Sequence, residues 1–188
     1  MHDVSAQPAV LIKEESIRGR VDELARRISN AYVTAGVPEI ILVGVLRGAF
    51  IFLADLARKL TIPHKVDFIA VSAYGASAGT TPGPVRLVKD LSIDITGRHV
   101  LVIEDILDTG RTLHYLIDML QARGPASLKT CVLVKKPAKK AADRATNGAE
   151  EVAVDYVGFE IPDEWVVGYG LDYKDEWRTL PYIGVLGG

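Results

Sequence analysis

The chain has 188 residues, 48% of them hydrophobic, and its 22 basic and 24 acidic residues leave a net charge of −2. A globular domain of this length buries roughly 70% of its unfolded surface, and the balanced charge gives no sign of a nucleic-acid-binding face. A single cysteine excludes a disulfide framework, and no apolar run reaches the ~18 residues of a membrane span. Residues 1–5 lack the features of a secretory signal, so we expect a cytoplasmic protein that binds neither nucleic acid nor membrane.

Predicted helices and strands alternate along the chain. Apolar residues recur at spacings of three and four from Ile17 to Tyr32, which predicts an amphipathic helix. Further helices are expected at 50–60 and 113–121, and apolar runs predict strands at 40–45, 66–72, 85–91, 100–103, 127–134 and 152–157. This alternation predicts an α/β fold with an open, mostly parallel twisted sheet flanked by helices. Residues 158–188 do not continue the repeat and are expected to form a small C-terminal lobe.

The most informative stretch runs from residue 100 to residue 113. An apolar strand leads directly into Glu104 and Asp105, and a short turn carrying Asp108 precedes the next helix. Helix N-termini bind phosphate, a carboxylate accepts both hydrogen bonds of a ribose diol, and Mg²⁺ offsets the phosphate charge. The stretch therefore predicts a ribose phosphate site, with the phosphate on residues 108–112 and the diol at the two adjacent acids. The alternative is a buried strand that leads into a capped helix.

Three predicted strands end in polar residues. These ends are residues 46–48, residues 104–112, and Lys135-Lys136. In open parallel sheets, ligands bind beyond the carboxyl ends of the strands. We therefore expect the three ends to contribute to one site.

Four stretches resemble segments of type I phosphoribosyltransferases, and specifically of the hypoxanthine(-guanine) phosphoribosyltransferases. Residues 100–113 are similar to the phosphoribosyl pyrophosphate motif, and residues 43–50 resemble the pyrophosphate loop. Residues 133–137 resemble the strand end that selects the purine, and residues 155–173 resemble the C-terminal signature. The likeness spans roughly residues 14–183.

The resemblance implies a fold, a reaction and a cofactor. It implies one type I phosphoribosyltransferase domain over 1–188, with a core at about 12–157 and a hood built from about 158–188 plus the N-terminal segment. The implied enzyme transfers the 5-phosphoribosyl group from phosphoribosyl pyrophosphate to N9 of hypoxanthine or guanine, with Mg²⁺, in purine salvage. It also implies a homodimer or homotetramer. Two alternatives stay open: a nucleotide-sensing regulatory protein on the same fold, and an enzyme that prefers xanthine and guanine.

The resemblance also implies roles for individual residues. Asp108 is the expected catalytic base. The ribose and 5′-phosphate are expected to contact Glu104, Asp105, Asp108, Thr109, Gly110, Arg111 and Thr112. Pyrophosphate is expected at Leu46, Arg47, Gly48 and Arg178, and the purine at Lys135, Trp165 and Val166. The metal is expected at Asp172, Glu104 and Asp105.

A mobile loop is expected after the second strand of the core, and the resemblance places Ala73, Tyr74 and Gly75 in it. The family commonly carries a serine where this chain has Ala73, which has no hydroxyl. Such a loop would close over the reaction and exclude water.

Overall fold

The computed structural model describes residues 7–73, 85–137 and 152–187. In chain order its elements are β1 (Ala9–Ile12), α1 (Glu14–Thr34), β2 (Ile40–Leu46), α2 (Phe50–Ala57), β3 (His64–Ala73), β4 (Val85–Lys89), β5 (His99–Leu107), α3 (Arg111–Gln121), β6 (Ser127–Lys135), β7 (Tyr156–Glu160), β8 (Val166–Val167) and β9 (Ile183–Val185). Within these ranges no helix combines the length and apolar character needed to cross a membrane.

The main sheet has six strands in the order β4-β3-β2-β5-β6-β7. All neighbouring pairs are parallel except β3 and β4, which are antiparallel. Helices α1 and α2 cover one face through residues such as Leu24 and Phe52, and α3 covers the other through residues such as Leu116. Since both faces are covered, the central strands are continuous apolar runs, as predicted for a parallel sheet.

A second sheet of three short antiparallel strands, β1-β9-β8, joins the two ends of the described chain. Ala9 pairs with Val185, and Val185 also pairs with Val166. The C-terminal region is attached to the main sheet through α2, because the Tyr169 hydroxyl donates to Asp55 Oδ2 at 2.6 Å. Strand β1 was not anticipated in the sequence, since a four-residue strand with a long-range partner leaves little periodic signal.

Several predicted boundaries differ from the structure, among them the end of α2 and the start of β7. Helix α2 ends at Ala57 rather than at residue 60. Strand β7 begins at Tyr156 rather than at residue 152. The alternating residues Val152 and Val154 do pack against the core, but they do so before the strand joins the sheet. The side chain of Asp155 accepts a hydrogen bond from Thr130 N at 2.9 Å at the start of that pairing.

Candidate active site

The carboxyl ends of β2, β5 and β6 lie along one edge of the main sheet. Beyond β2 the chain turns into α2, and beyond β5 it turns into α3. The end of β6 is held on both sides: Lys136 N donates to Leu107 O at 2.9 Å, and Ile161 N donates to Lys135 O at 2.9 Å. These backbone bonds place the end of β6 beside the end of β5, and the parallel pairing of β2 with β5 brings the end of β2 to the same edge.

The turn between β5 and α3 forms a cleft of about 270 Å³, called here the β5 cleft. The sequence-predicted residues that line it are Glu104, Asp108, Thr109, Gly110 and Thr112. Gly110 precedes the helix with φ of 81°, in the left-handed region where glycine carries no steric penalty. No side chain caps the helix and its first turn carries no acid, so the N-terminal N–H groups of α3 can bind an anion. Arg111 is the first residue of this helix.

A second cleft of about 470 Å³, called here the β2 cleft, lies on the other side of β5. It joins segments that are far apart in the chain: the β2–α2 turn, the end of β3, strand β4 and the C-terminal region. Six of the sequence-predicted site residues line it, namely Leu46, Arg47, Gly48, Asp105, Asp172 and Arg178. The Leu46–Arg47 peptide bond is cis.

Glu104 and Asp105 therefore face different clefts. The apolar run predicted a strand ending at residue 103, directly before the two acids, but β5 continues to Leu107, so both acids lie within the strand. Successive side chains of a strand point to opposite faces. Glu104 lines the β5 cleft and Asp105 lines the β2 cleft.

Both carboxyl groups have raised pKa values. Burial is the main cause for Glu104, and the neighbouring charge of Asp105 adds to it. Burial also raises the pKa of Asp105, while hydrogen bonds and the nearby Arg178 act in the opposite direction. Glu104 Oε2 is buried and has no hydrogen-bond partner among the described residues. A buried acceptor without a partner is costly, and it marks a position where a ligand hydroxyl or a cation would be favourable.

Gly48 is required where the β2–α2 turn approaches β5. A Cβ atom at this position would lie 1.6 Å from Asp105 Oδ2 and 2.4 Å from Asp105 Cγ. The same turn contacts the C-terminal region, because a Cβ on Gly170 would lie 2.0 Å from Gly48 O. Two glycines thus let three chain segments meet at the β2 cleft.

Arg178 is held firmly at the β2 cleft. Its Nη1 donates to Gly170 O at 2.6 Å, and its Nη2 lies 2.7 Å from Asp172 Oδ1. The arginine side chain is only 16% exposed. Arg47, from the opposite wall, is 68% exposed and forms an ion pair with Asp175.

The lysine that lies near Asp108 at the end of β6 is Lys136. The resemblance implied Lys135 for the purine, and the structure places the ammonium group of Lys136 3.8 Å from Asp108 Oδ1 and 3.5 Å from Asp163 Oδ1. Lys136 is 9% exposed and its Nζ lies 5.9 Å from the centre of the Trp165 ring. Neighbouring residues of an extended strand end point to opposite sides, so only one of the two lysines can face Asp108.

Trp165 lies at the outer side of this lysine and is 59% exposed. Its ring meets that of Tyr173 edge-on, with 5.9 Å between the ring centres. Val166, the next residue, is buried in β8 and pairs with Val185. An exposed tryptophan face beside a buried ammonium group is suited to a flat, polar aromatic ligand.

Three residues near the site were given no individual role from the sequence: Lys136, Asp163 and Asp175. Lys136 and Asp163 lie within stretches that were recognised, so only their side-chain directions were missing. Ala73 is the last residue of β3, and the other two residues of the expected mobile loop, Tyr74 and Gly75, lie outside the described residues.

The acids at this edge are suited to a hard divalent cation that the substrate helps to bind. Carboxylate oxygens are the preferred ligands of Mg²⁺, and the unpartnered Glu104 Oε2 offers one. In the described parts of the chain, no three His, Cys, Asp or Glu side chains cluster closely enough to hold a metal by themselves. Magnesium commonly binds through one or two carboxylates, with water and substrate phosphates as its other ligands, so the residues fit this mode.

Comparisons with known proteins show the family of this chain. A family model described as a phosphoribosyl transferase domain matches residues 12–174. The chain is 46% identical over 175 residues to the hypoxanthine phosphoribosyltransferase of Salmonella typhimurium, covering 93% of each chain. It is 44% identical over 181 residues to the hypoxanthine-guanine phosphoribosyltransferase of Mycobacterium avium, covering 95% of this chain and 85% of the relative.

Solved structures match as well. The hypoxanthine phosphoribosyl transferase of Trypanosoma cruzi superposes with a TM-score of 0.85 at 41% identity, covering 97% of this chain and 93% of that chain. A hypoxanthine-guanine phosphoribosyltransferase of Bacillus anthracis superposes with a TM-score of 0.82 at 38% identity, covering 97% and 100% of the two chains.

Proposed function

Because the chain belongs to the phosphoribosyl transferase domain family, we propose that it transfers the 5-phosphoribosyl group from phosphoribosyl pyrophosphate to a 6-oxopurine. The acceptors are hypoxanthine and guanine, as in the names of its relatives. In this reaction the bond from C1′ to the pyrophosphate oxygen breaks and the bond from C1′ to purine N9 forms. The purine loses its N7 proton, and the products are IMP or GMP and pyrophosphate.

The observation that carries the proposal is the arrangement of two anion sites around one strand. The β5 cleft offers a helix N-terminus, and the β2 cleft offers Arg47 and Arg178. A substrate with a phosphate at one end and a pyrophosphate at the other can occupy both clefts, with its ribose across β5. Positioning the two reactants in this way supplies much of the catalysis in group-transfer reactions.

In the β5 cleft, the 5′-phosphate binds the turn of Asp108, Thr109, Gly110, Arg111 and Thr112. Glu104 and Asp105 accept hydrogen bonds from the ribose hydroxyls, one from each side of the strand. The transition state is an electron-poor ribosyl cation, which nearby carboxylates stabilise.

Asp108 takes the N7 proton of the purine. Its position supports this role, because Asp108 follows the end of β5 and lies 3.8 Å from the ammonium group of Lys136. A base placed between the ribose site and the purine site is within reach of both reacting groups.

Lys136 replaces Lys135 in our assignment of the purine site. Its ammonium group donates to the purine 6-oxo group, which favours 6-oxopurines over adenine because adenine has a donor at that position. The purine stacks on Trp165, and backbone groups of Val166 contact its edge. The contact of Lys136 with both Asp108 and Trp165 supports this assignment.

The cofactor is a divalent cation, and we propose Mg²⁺. When bound, such an ion would supply positive charge to the leaving pyrophosphate. Glu104 and Asp105 would hold it directly, and Asp172 would contribute through water, because its Oδ1 is paired with Arg178 at 2.7 Å.

We also propose that the protein forms homodimers or homotetramers. The surface between α1, α2 and the C-terminal region supports this, because it contains a cavity of about 430 Å³ that is lined in part by Ile17, Val21 and Ile51. Light scattering coupled to gel filtration measures the mass, and a monomer at every concentration would contradict this proposal.

Steady-state kinetics test the proposed activity. Purified protein with Mg²⁺ and phosphoribosyl pyrophosphate should convert hypoxanthine to IMP, and guanine to GMP, with adenine as the control that does not react. Xanthine belongs in the same comparison because it differs from guanine only at position 2. Turnover of no 6-oxopurine by folded protein would overturn the enzyme assignment and favour a nucleotide-binding regulatory role.

A further inference from the structure

One acidic side chain at the β2 cleft has no part in the reaction described above. Asp175 is 62% exposed, and its Oδ1 contacts the guanidinium groups of both Arg47 and Arg178, the latter at 3.1 Å. The contact with Arg47 joins the two walls of the cleft. A single carboxylate oxygen therefore bridges the two arginines that are assigned to pyrophosphate.

The backbone fixes Asp175 in this position. Lys174 and Asp175 form the tip of a tight turn, in which Glu176 N donates to Tyr173 O at 3.0 Å. Both tip residues have positive φ, 53° and 67°, where glycine and asparagine are favoured. The Asp175 N–H also donates to Asp172 Oδ2 at 2.7 Å. Residues held in sparsely populated backbone regions concentrate at functional sites, and the turn at Lys174 and Asp175 has this property.

The two arginines differ in how firmly they are held. Arg178 has two other partners, Gly170 O and Asp172, and is largely buried. Arg47 is 68% exposed, and Asp175 is its partner across the cleft. Ion pairs between exposed groups are weak, because water and salt screen them, so a stronger anion can displace this one.

We propose that Asp175 is an internal stand-in for pyrophosphate: its carboxylate occupies the anion position between Arg47 and Arg178 and must yield when pyrophosphate binds. The inference rests on the proposed function, because it takes the two arginines as pyrophosphate ligands. Asp175 lowers the affinity of the cleft for pyrophosphate in two ways. It pairs with the arginines in the free protein, and it repels the phosphates in the complex. Such a group limits the trapping of the released product.

Calorimetric titration of the whole protein with inorganic pyrophosphate and Mg²⁺ tests this. Asp175→Asn is suited to the test, because asparagine tolerates the left-handed backbone and keeps the N–H that bonds Asp172. We expect D175N to bind pyrophosphate about three- to fivefold more tightly and to have a lower KM for phosphoribosyl pyrophosphate, the scale of an exposed ion pair.

Glu176→Gln is the matched control. It removes the same charge one residue further along, from an exposed side chain outside the catalytic machinery, and it should change the affinity less than about 1.5-fold. In an Arg47→Ala background the effect of D175N should shrink, since one of its two partners is gone.

The outcomes are distinguishable. Unchanged or weaker pyrophosphate binding by D175N, while the wild-type protein binds, overturns this inference alone and makes Asp175 a residue that orients the arginines. An equal gain in E176Q also overturns it, since the effect would then be one of general charge. Failure of the wild-type protein to bind pyrophosphate overturns the proposed function and this inference with it.

Discussion

The β5 cleft and the β2 cleft flank the same strand but are built in different ways. The β5 cleft comes almost entirely from one contiguous stretch, residues 104–113. The β2 cleft combines the β2–α2 turn, the end of β3, strand β4 and the C-terminal residues Asp172 and Arg178. The first depends on local backbone geometry, and the second depends on several segments packing together. The two should therefore respond differently to mutation.

The largest expected effect lies in the β5 cleft. Asp108→Asn should lower kcat at least about 10²-fold, the usual scale of general acid–base catalysis, while the KM for phosphoribosyl pyrophosphate changes little. Steady-state kinetics with both substrates varied measure this. Asp118→Asn, on the exposed side of α3 near His114, serves as the control and should leave kcat unchanged. An unchanged kcat in D108N would assign Asp108 to phosphate binding.

A substitution in the β2 cleft should weaken the binding of phosphoribosyl pyrophosphate more than it lowers kcat. In Gly48→Ala, the new Cβ overlaps the Asp105 carboxylate, so either the turn or the side chain must move. Displacing positioning groups by about 1 Å can cost about 10²-fold, and we expect most of that loss as a higher KM for phosphoribosyl pyrophosphate.

Gly19→Ala provides the control for this substitution. Gly19 lies in α1 with open space around its Cβ position, and alanine there should raise the helix stability by up to about 1 kcal/mol. If G48A raised KM no more than G19A does, the β2 cleft would not be the pyrophosphate site.

The contrast between the clefts also explains what the sequence could predict. The parallel sheet, the β5–α3 turn and the family resemblance were all predicted from contiguous patterns, and the family and fold are confirmed. Strand β1 was missed, because pairing with β9 across the chain leaves no local signature. The predicted end of β5 at residue 103 was too early, because the extent of β5 depends on its pairing with β6 through Leu107.

The lysine at the end of β6 illustrates the same limit at the level of one side chain. Sequence pattern placed a lysine at this strand end, but Lys135 and Lys136 are adjacent and chemically identical. Which of them faces Asp108 depends on the strand's register with Leu107 and Glu160, and that is a tertiary property. A one-residue shift of register moves every side chain to the other face.

A pair of substitutions tests which of the two lysines binds the purine. Lys136→Met should raise the KM for hypoxanthine about tenfold or more, because an unpaired 6-oxo acceptor in a buried site costs about 1–3 kcal/mol. Lys135→Met is the matched control and should change this KM less than about twofold. The same kinetic assay measures both variants. The reverse pattern would restore Lys135 as the purine ligand.

The smallest expected effect concerns the folding stability of the protein and how it depends on the ionisation of Glu104. Burial and the charge of Asp105 raise the pKa of Glu104 in the folded state, so the native protein binds this proton more tightly than the unfolded chain does. The associated stability is fully present below the ordinary glutamate pKa of about 4.3 and is lost as the pH rises through the higher folded-state value. Near neutral pH, Glu104 is therefore a net cost to folding, consistent with its unpartnered Oε2.

Glu104→Gln removes that cost at the expense of the proposed ribose contact. We expect its Tm to exceed that of the wild-type protein by about 2–4 °C near pH 7.5, which corresponds to about 1 kcal/mol for a chain of this size. The difference should narrow as the pH approaches 4.5, because the wild-type carboxyl is then protonated as well. Calorimetry of both proteins across this pH range measures the difference in Tm. The control is Glu160→Gln at an exposed position, whose Tm difference from the wild-type protein should stay constant with pH. A difference that widened toward acid would mean that the folded protein stabilises the charged form of Glu104. A positively charged group of the protein would then already face this carboxylate, in the place that we assign to the substrate and its cation.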